Sequence, residues 1–250
     1  PCRRRACACR PHDTGAAEVA AMSLRLRYAA RSDVGLVRRG NEDSGYAGPN
    51  LLAVADGMGG HAAGELASAA AVAALAEVDH GDLPASDVLA ALADAIDRTG
   101  GAIRSVIARE PSLAGMGTTM TAIYWAGGRI AIAHIGDTRA YLRRDNELTQ
   151  LTHDHTLVQS LVDQGHLTEE EAAVHPRRSV IMRALDGLNP AEPDLSVRES
   201  RAGDRYLLCS DGLSGVMTAQ EIALILQADD PTGAVISLVD LALERGAPDN

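Results

Sequence analysis

The chain has 250 residues, which is enough for one large domain or two small ones. Its formal net charge of −11 argues against a nucleic-acid-binding surface, which needs clustered lysine and arginine. Hydrophobic residues make up 46% of the chain, but it has no Phe and one Trp, so we expect an aliphatic, alanine-rich core. No apolar run approaches the roughly eighteen residues of a membrane helix, so no span is predicted within these residues.

The first residues show neither helical nor strand periodicity. Residues 1–21 also lack the apolar segment of a signal peptide, and we expect an unstructured or upstream extension, with Met22 as the natural start. Three cysteines at positions 2, 7 and 9 have no fourth ligand at metal-binding spacing, which disfavours a metal or disulfide cluster. Cysteine usage does not call for an oxidising compartment, and a cytoplasmic location is expected. Alternation over residues 24–30 then predicts a half-exposed strand.

An apolar run that ends on a carboxylate stands at the centre of the sequence. Residues 51–55 have the length of a strand buried on both faces, and Asp56 follows directly. A lone Asp-Gly is most often a turn, but the pattern recurs: apolar runs also lead to Asp137 and Asp211, and Asp249 supplies a fourth acid. A charge at the end of a buried strand is costly unless it is compensated. Several such carboxylates therefore predict a shared divalent-cation site.

Helices and hairpins surround this strand. We expect a helix over 62–78 and a second helical region over 84–110, interrupted at the Gly pair 100–101. Two hairpins are then predicted, turning at 127–128 and 145–146, and consecutive hairpins indicate antiparallel sheet.

The last third of the chain becomes polar before it returns to strands and helices. Residues 153–182, with a short helix at 156–164, are interpreted either as a mobile flap above the site or as a long surface connection, and loops of this size are often functional. The remaining elements are predicted as strands at 195–199 and 205–210 and helices at 221–227 and 234–244.

Ligand type predicts the metal. Carboxylate and carbonyl oxygens favour Mg or Mn over zinc, and two such ions about 3.5–4 Å apart are the usual arrangement for phosphoester hydrolysis. Arg38 lies just upstream of the central strand, where it is either part of a solvated loop or an anion-binding guanidinium. His153 and His155 lack a third nearby partner, and we interpret them as loop residues.

A dinucleotide site is the competing interpretation of the glycine-rich turn. Residues 57–62 match the G-x-G-x-x-A fingerprint, with Asp79 about twenty residues on. No second strand of a βαβ unit follows the helix, and Asp56 would place a negative charge near the pyrophosphate. Both facts disfavour the interpretation.

Seven ordered motifs resemble those of the metal-dependent Ser/Thr protein phosphatases (the PPM, or type 2C, family), most closely its actinobacterial members that are paired with Hanks-type kinases. The similarity runs from about residue 24 to residue 250. The motifs are Arg38 with 41–43, and residues 55–60, 115–119, 134–137, 151–154, 209–212 and 248–250.

The resemblance implies an α+β fold, an α/β/β/α four-layer sandwich of two antiparallel sheets flanked by helices, with a catalytic domain over 22–250. It implies hydrolysis of phosphoserine and phosphothreonine in proteins by a water that bridges two Mn or Mg ions, opposing Ser/Thr kinases. A monomer is expected.

The resemblance also implies residue roles. Asp56 would bridge both metals, the Gly57 carbonyl would complete one coordination sphere, and Asp211 and Asp249 would hold the other ion. Arg38 would bind the substrate phosphate. The remaining implied roles are a weaker third metal site at Asp137 and Ser179, and contacts to metal-bound water from Glu42 and Asp43.

Two departures from the family pattern leave questions open. Met58 stands where some members have a His general acid, so the acid is unassigned, and His61 need not reach the leaving group. The family domain continues past Asp-Asn with a strand, so we expect a truncated chain with Asp249 poorly anchored. A non-catalytic phosphoprotein-binding domain, and a membrane anchor beyond residue 250, stay open as alternatives.

Overall fold

The computed structural model describes residues 26–60, 62–80, 83–84 and 86–250. The predictions for residues 1–21, Met22 and His61 lie outside this part of the chain. The predicted strand at 24–30 is wrong over its described part, because residues 26–30 do not join either sheet. Alternation alone therefore did not make a strand, which also needs a hydrogen-bonded neighbour.

Among the described residues, nine strands form two antiparallel sheets. The larger sheet has the order β1-β2-β4-β5-β8, with β3 paired to β2, and the smaller has the order β7-β6-β9. The strands are β1 (Asp43–Ala47), β2 (Leu51–Met58), β3 (Gly117–Thr118), β4 (Met120–Ala126), β5 (Arg129–Ile135), β6 (Arg139–Arg144), β7 (Glu147–Gln150), β8 (Asp194–Glu199) and β9 (Arg205–Cys209).

Helices lie outside both sheets. The helices are α1 (Ala62–Ala76), α2 (Val88–Arg109), α3 (Leu157–Asp163), α4 (Glu169–Ala173), α5 (Asp211–Ser214), α6 (Ala219–Ile225) and α7 (Pro231–Glu244), with 3-10 turns at Glu77–His80 and Pro111–Leu113. No helix in the described part of the chain combines the length and apolar character needed to cross a membrane.

In the described part of the chain, three apolar clusters define four layers. The largest joins α1 and α2 to the larger sheet through residues such as Leu75, Ile96 and Met120. A second lies between the sheets around Ile123 and Ile130. The third packs α6 and α7 on the smaller sheet. The predicted four-layer sandwich is confirmed, because each sheet buries one face against the other sheet and one against helices.

Both hairpin predictions are confirmed. The β4–β5 turn contains Gly127 and Gly128 at φ +56° and +83°, and the β6–β7 turn begins with Asp145 at φ +52°. These left-handed values are what tight two-residue hairpin turns require. Local turn chemistry was therefore sufficient to place four strands.

The second helix differs from its prediction. α2 runs without a break from Val88 to Arg109 and passes straight through Gly100 and Gly101. A glycine in a helix interior costs about 1 kcal/mol relative to alanine. Burial of Leu92, Ile96 and other residues of the same face against the core exceeds that local cost.

The central strand is longer and less buried than predicted. β2 continues past Asp56 to Met58, because Asp56 pairs with Asp43 of β1 and Gly57 pairs with Thr118 of β3. Burial alternates along it, with Leu52 and Val54 only partly buried. Asp56 is therefore held inside a strand ladder, and it is not in a turn.

Candidate active site

Asp56 is fixed by its backbone. Its carbonyl oxygen accepts hydrogen bonds from the Thr119 N–H at 2.9 Å and the Thr118 hydroxyl at 2.8 Å. Its register partner across the antiparallel pair is Asp43. Like charges directly opposite each other in a sheet are destabilising, so this arrangement needs a compensating group.

Gly57 occupies a position that no side chain could share. A Cβ there would lie 2.2 Å from the Gly64 carbonyl oxygen in α1 and 2.6 Å from the Glu42 carbonyl oxygen. The Gly57 N–H also donates to that Glu42 oxygen at 3.2 Å. The strand that carries Asp56 therefore lies directly against the first turn of α1.

Asp211 approaches Asp43 and Asp56 from the smaller sheet. It follows β9 and begins α5, and the preceding Ser210 hydroxyl donates to Asp43 at 2.6 Å. This bond links β1 of one sheet to β9 of the other. Acids carried by both sheets thus come together at one edge of the sandwich.

The segment 247–250 carries the fourth acid, and it is held on several sides. Asn250 accepts a hydrogen bond from the Glu42 N–H at 2.9 Å and donates to the Val34 carbonyl at 2.9 Å. Arg38 donates to Asp249 at 2.5 Å. Asp249 is therefore better anchored than the sequence indicated.

The carboxylates are buried close to one another, where little water screens their mutual repulsion. Burial, and then the charges of Asp43 and Asp211, raise the pKa of Asp56. Burial also raises the pKa of Asp43, against the Ser210 hydrogen bond, and it raises the pKa of Asp211, with Asp249 adding to the rise. Burial and the charge of Asp211 raise the pKa of Asp137 to about 7. The cluster therefore favours bound cations.

Two buried oxygens in this cluster lack a compensating group. Asp137 Oδ1 and Asp211 Oδ1 are buried and have no hydrogen-bond partner, and such groups are costly unless something compensates them. Among the described residues, no three acidic, histidine or cysteine side chains close around a single point tightly enough to form a metal site. An open, all-oxygen site suits Mg²⁺ or Mn²⁺, which bind through few carboxylates and keep several waters.

The electrostatics predict a pH dependence for the chelator-stripped protein. Burial lowers the pKa of His134 to about 4, and the pKa of an unfolded histidine is about 6.5, so above pH about 7.5 this histidine is almost entirely neutral in both the folded and the unfolded state. Carboxyls whose pKa is raised on folding, Asp56 to about 9 among them, bind more protons when folded, so the free energy of unfolding falls as pH rises further. We expect a loss of about 1 kcal/mol, or about 2–4 °C in melting temperature, between pH about 7.5 and 9. Calorimetric melting without metal measures this, and a melting temperature that rises over this range would contradict it.

Several predicted residues lie apart from the carboxylate cluster or outside the described part of the chain. Ser179 is exposed in a turn of the flap, so its place in a third site stays a prediction. The general acid stays unassigned, because His61 lies outside the described residues and Met58 carries no acidic proton. No role was predicted for Ser210 or Asn250, although both lie inside the motifs that pointed to the site.

The family follows from the comparison of the chain with known proteins. A family model described as Protein phosphatase 2C matches residues 41–232. The chain belongs to the protein phosphatase 2C family. The resemblance predicted from the seven motifs is confirmed.

Solved and named phosphatase 2C relatives show how far the likeness extends. The chain is 56% identical over 232 residues to the serine/threonine protein phosphatase PstP of Mycobacterium tuberculosis, covering 93% of this chain and 45% of that protein. The crystal structure of the M. tuberculosis phosphatase superposes with a TM-score of 0.88 at 57% identity, covering 91% of this chain and 96% of that one. A PstP catalytic domain in complex with two manganese ions superposes with a TM-score of 0.84 at 55% identity, covering 90% of this chain and 94% of that one. The chain thus spans less than half of the full PstP protein.

Proposed function

We propose that this chain is a metal-dependent protein phosphatase that hydrolyses phosphoserine and phosphothreonine in proteins. The observation that carries the proposal is the meeting of four carboxylates from both sheets, Asp43, Asp56, Asp137 and Asp211, with two buried oxygens left unpartnered. Both the family and the manganese complex of the related PstP domain support it.

We infer a separate role for each residue from its position. Asp56 and the Gly57 carbonyl would hold Mn²⁺ or Mg²⁺, with Asp56 shared between two ions, and Asp211 and Asp249 would hold the second ion. When bound, such ions activate water and neutralise the phosphoryl oxygens. Glu42 and Asp43 would orient water in the site, and Asp137 with Ser179 would form a weaker third site.

Arg38 is the proposed phosphate-binding group. Its guanidinium is half exposed and bonded to Asp249. This hydrogen bond raises its pKa above the ordinary arginine value, so it carries a positive charge at all working pH values. A planar guanidinium presents paired donors to a phosphate. We therefore infer that Arg38 holds the substrate phosphoryl group beside Asp249.

Hydrolysis of a phosphothreonine peptide by chelator-stripped protein, with and without added Mn²⁺, tests the proposal. We expect negligible hydrolysis without metal and restored turnover with it, because the carboxylates alone supply neither an activated water nor positive charge. Peptide binding without turnover at saturating Mn²⁺ would contradict the proposal and favour a non-catalytic phosphoprotein-binding domain. Zinc at the same concentration is the matched control and should restore less activity, since oxygen ligands favour Mn²⁺ and Mg²⁺.

The domain bounds, the partners and the location of the protein also stay proposals. We infer a catalytic domain over 22–250 with a flap at 153–182, acting on phosphorylated proteins and opposing Ser/Thr kinases of the Hanks type. A monomeric state, a cytoplasmic location and a membrane anchor outside these residues are predictions for the complete protein.

A further inference from the structure

His155 has both ring nitrogens engaged inside the protein. It is 4% exposed, its Nδ1 lies 3.0 Å from the Gly136 backbone nitrogen, and its Nε2 lies 3.2 Å from Asp194 Oδ2. A backbone N–H can only donate, so Nδ1 must be the acceptor. Nε2 therefore carries the proton and donates to Asp194. The sequence alone had suggested an ordinary loop residue.

The His155 backbone joins two further segments. Its N–H donates to the Gly136 carbonyl at 2.7 Å, and its carbonyl accepts from the Met182 N–H at 2.7 Å. Gly136 directly precedes Asp137, one of the acids of the site. Met182 lies where the flap returns to the sandwich, next to the bridge between Thr156 and Ile181. One residue thus contacts the Asp137 turn and the base of the flap.

The turn on one side of His155 has little freedom to move. Gly136 has φ +108°, and a Cβ there would lie 2.3 Å from the Thr119 side chain. Thr119 in turn donates its N–H to the Asp56 carbonyl. The turn that carries Asp137 is therefore packed against the residue that fixes Asp56, and the His155 ring closes its other side.

Asp194 links the histidine to the flap a second time. Its other oxygen accepts from Arg183 at 3.2 Å, and Arg183 follows Met182 at the flap base. Behind His155, the His134 ring lies 4.7 Å away and is itself held by Thr121 Oγ1 at 2.9 Å. The His155 ring is therefore confined from several directions.

We propose that His155 is a positioning residue that holds the Gly136–Asp137 turn and the base of the flap in one fixed arrangement beside the carboxylate cluster. It touches neither the substrate nor the reacting atoms. Its effect on catalysis rests on the proposed phosphatase function. Its effect on the turn and the flap base does not, and can be measured in the metal-free protein.

Two substitutions separate the two ring contacts. His155→Asn places an oxygen near the position of Nδ1 and keeps an acceptor for Gly136, but it cannot reach Asp194. His155→Gln places an amide near the position of Nε2 and keeps the donor to Asp194, but it loses the Gly136 acceptor. His153→Asn is the matched control, because the His153 ring is half exposed and contacts Asp163 on α3.

Amide hydrogen exchange of the metal-free variants tests the structural part. With His155→Gln we expect the Gly136 amide to exchange about tenfold faster, the order expected for loss of one hydrogen bond. With His155→Asn that amide keeps its protection and the Met182 amide exchanges faster. His153→Asn changes neither. Unchanged exchange in both His155 variants, or equal acceleration of every amide including Ala53 in β2, would overturn the proposal.

Kinetics with Mn²⁺ test the catalytic part. We expect His155→Gln to lower kcat about tenfold with KM little changed, because the Asp137 turn loosens. We expect His155→Asn to raise KM for a phosphopeptide while KM for p-nitrophenyl phosphate stays the same, because only the larger substrate reaches the flap. Equal effects on both substrates in both variants would overturn the proposal. An inactive wild-type protein with the expected exchange pattern would contradict the phosphatase function and support the positioning of the turn.

Discussion

Asp56→Asn is expected to lower phosphatase activity by about 10³-fold or more and to raise the melting temperature of the metal-free protein. The substitution keeps the shape of the side chain but removes the charge that we propose would bind the cations, and metal-ion catalysis supplies several kcal/mol at about 1.4 kcal/mol per factor of ten. In the metal-free protein, burial and the neighbouring acids raise the pKa of Asp56, so its charge opposes folding at neutral pH. Losing that charge therefore stabilises the fold, by about 1 kcal/mol or more.

A buried aspartate elsewhere provides the control for Asp56→Asn. Asp79 is 7% exposed and accepts hydrogen bonds from the Tyr46 hydroxyl and the Asn50 N–H through its two oxygens. Asp79→Asn keeps one of these acceptors and should lower stability by about 1 kcal/mol with activity unchanged. Assays of p-nitrophenyl phosphate and melting with and without Mn²⁺ measure both variants. A less stable metal-free Asp56→Asn protein, or one with wild-type activity, would contradict our account of the cluster.

Gly57→Ala is expected to prevent normal folding of the site, although it adds one methyl group. The new Cβ would lie 2.2 Å from the Gly64 carbonyl oxygen and 2.6 Å from the Glu42 carbonyl oxygen, and both are backbone atoms that cannot swing away. Either β2 or the start of α1 must shift, which costs at least the 1–3 kcal/mol typical of overpacking. The same shift displaces Asp56. We therefore expect the melting temperature to fall by at least several degrees and metal-dependent activity to be lost.

Gly45→Ala is the matched control for this substitution. Gly45 lies in β1, the neighbouring strand, and a Cβ there meets the Ala53 carbonyl oxygen at 3.7 Å, an ordinary contact. Alanine at this position should be tolerated with activity retained. If Gly57→Ala melts and turns over substrate like Gly45→Ala, the close approach of β2 to α1 does not constrain the site.

Some of the fold could be predicted because the signals were local. The glycines at 127–128 specified a hairpin by backbone conformation, and Asp137 and Asp211, which follow apolar runs, marked the ends of β5 and β9. By contrast, the continuity of α2 through Gly100 depends on packing against the core, and the absence of a strand at 26–30 depends on hydrogen-bonding partners. Neither can be read from the segment itself.

The same distinction between local and long-range signals applies to the candidate site. Asp56, Asp137 and Asp211 were predicted because each follows an apolar run, and Asp249 because it lies in a recognisable motif. The register that places Asp43 opposite Asp56, and the Ser210 bond that joins the two sheets, link residues far apart in the chain. The role proposed for His155 was missed for the same reason, because its contacts come from three separate segments.

Calorimetric titration of Mn²⁺ into the chelator-stripped protein tests the central claim most directly, namely that these carboxylates form a binuclear metal centre. We expect two ions per chain for the wild-type protein, and one ion or weak binding for Asp211→Asn, which removes the negative charge of the carboxylate whose Oδ1 is buried and unpartnered. Gly45→Ala should bind as the wild type does. Wild-type protein that is folded and binds no Mn²⁺, or Asp211→Asn protein that binds two ions with unchanged affinity, would contradict the claim.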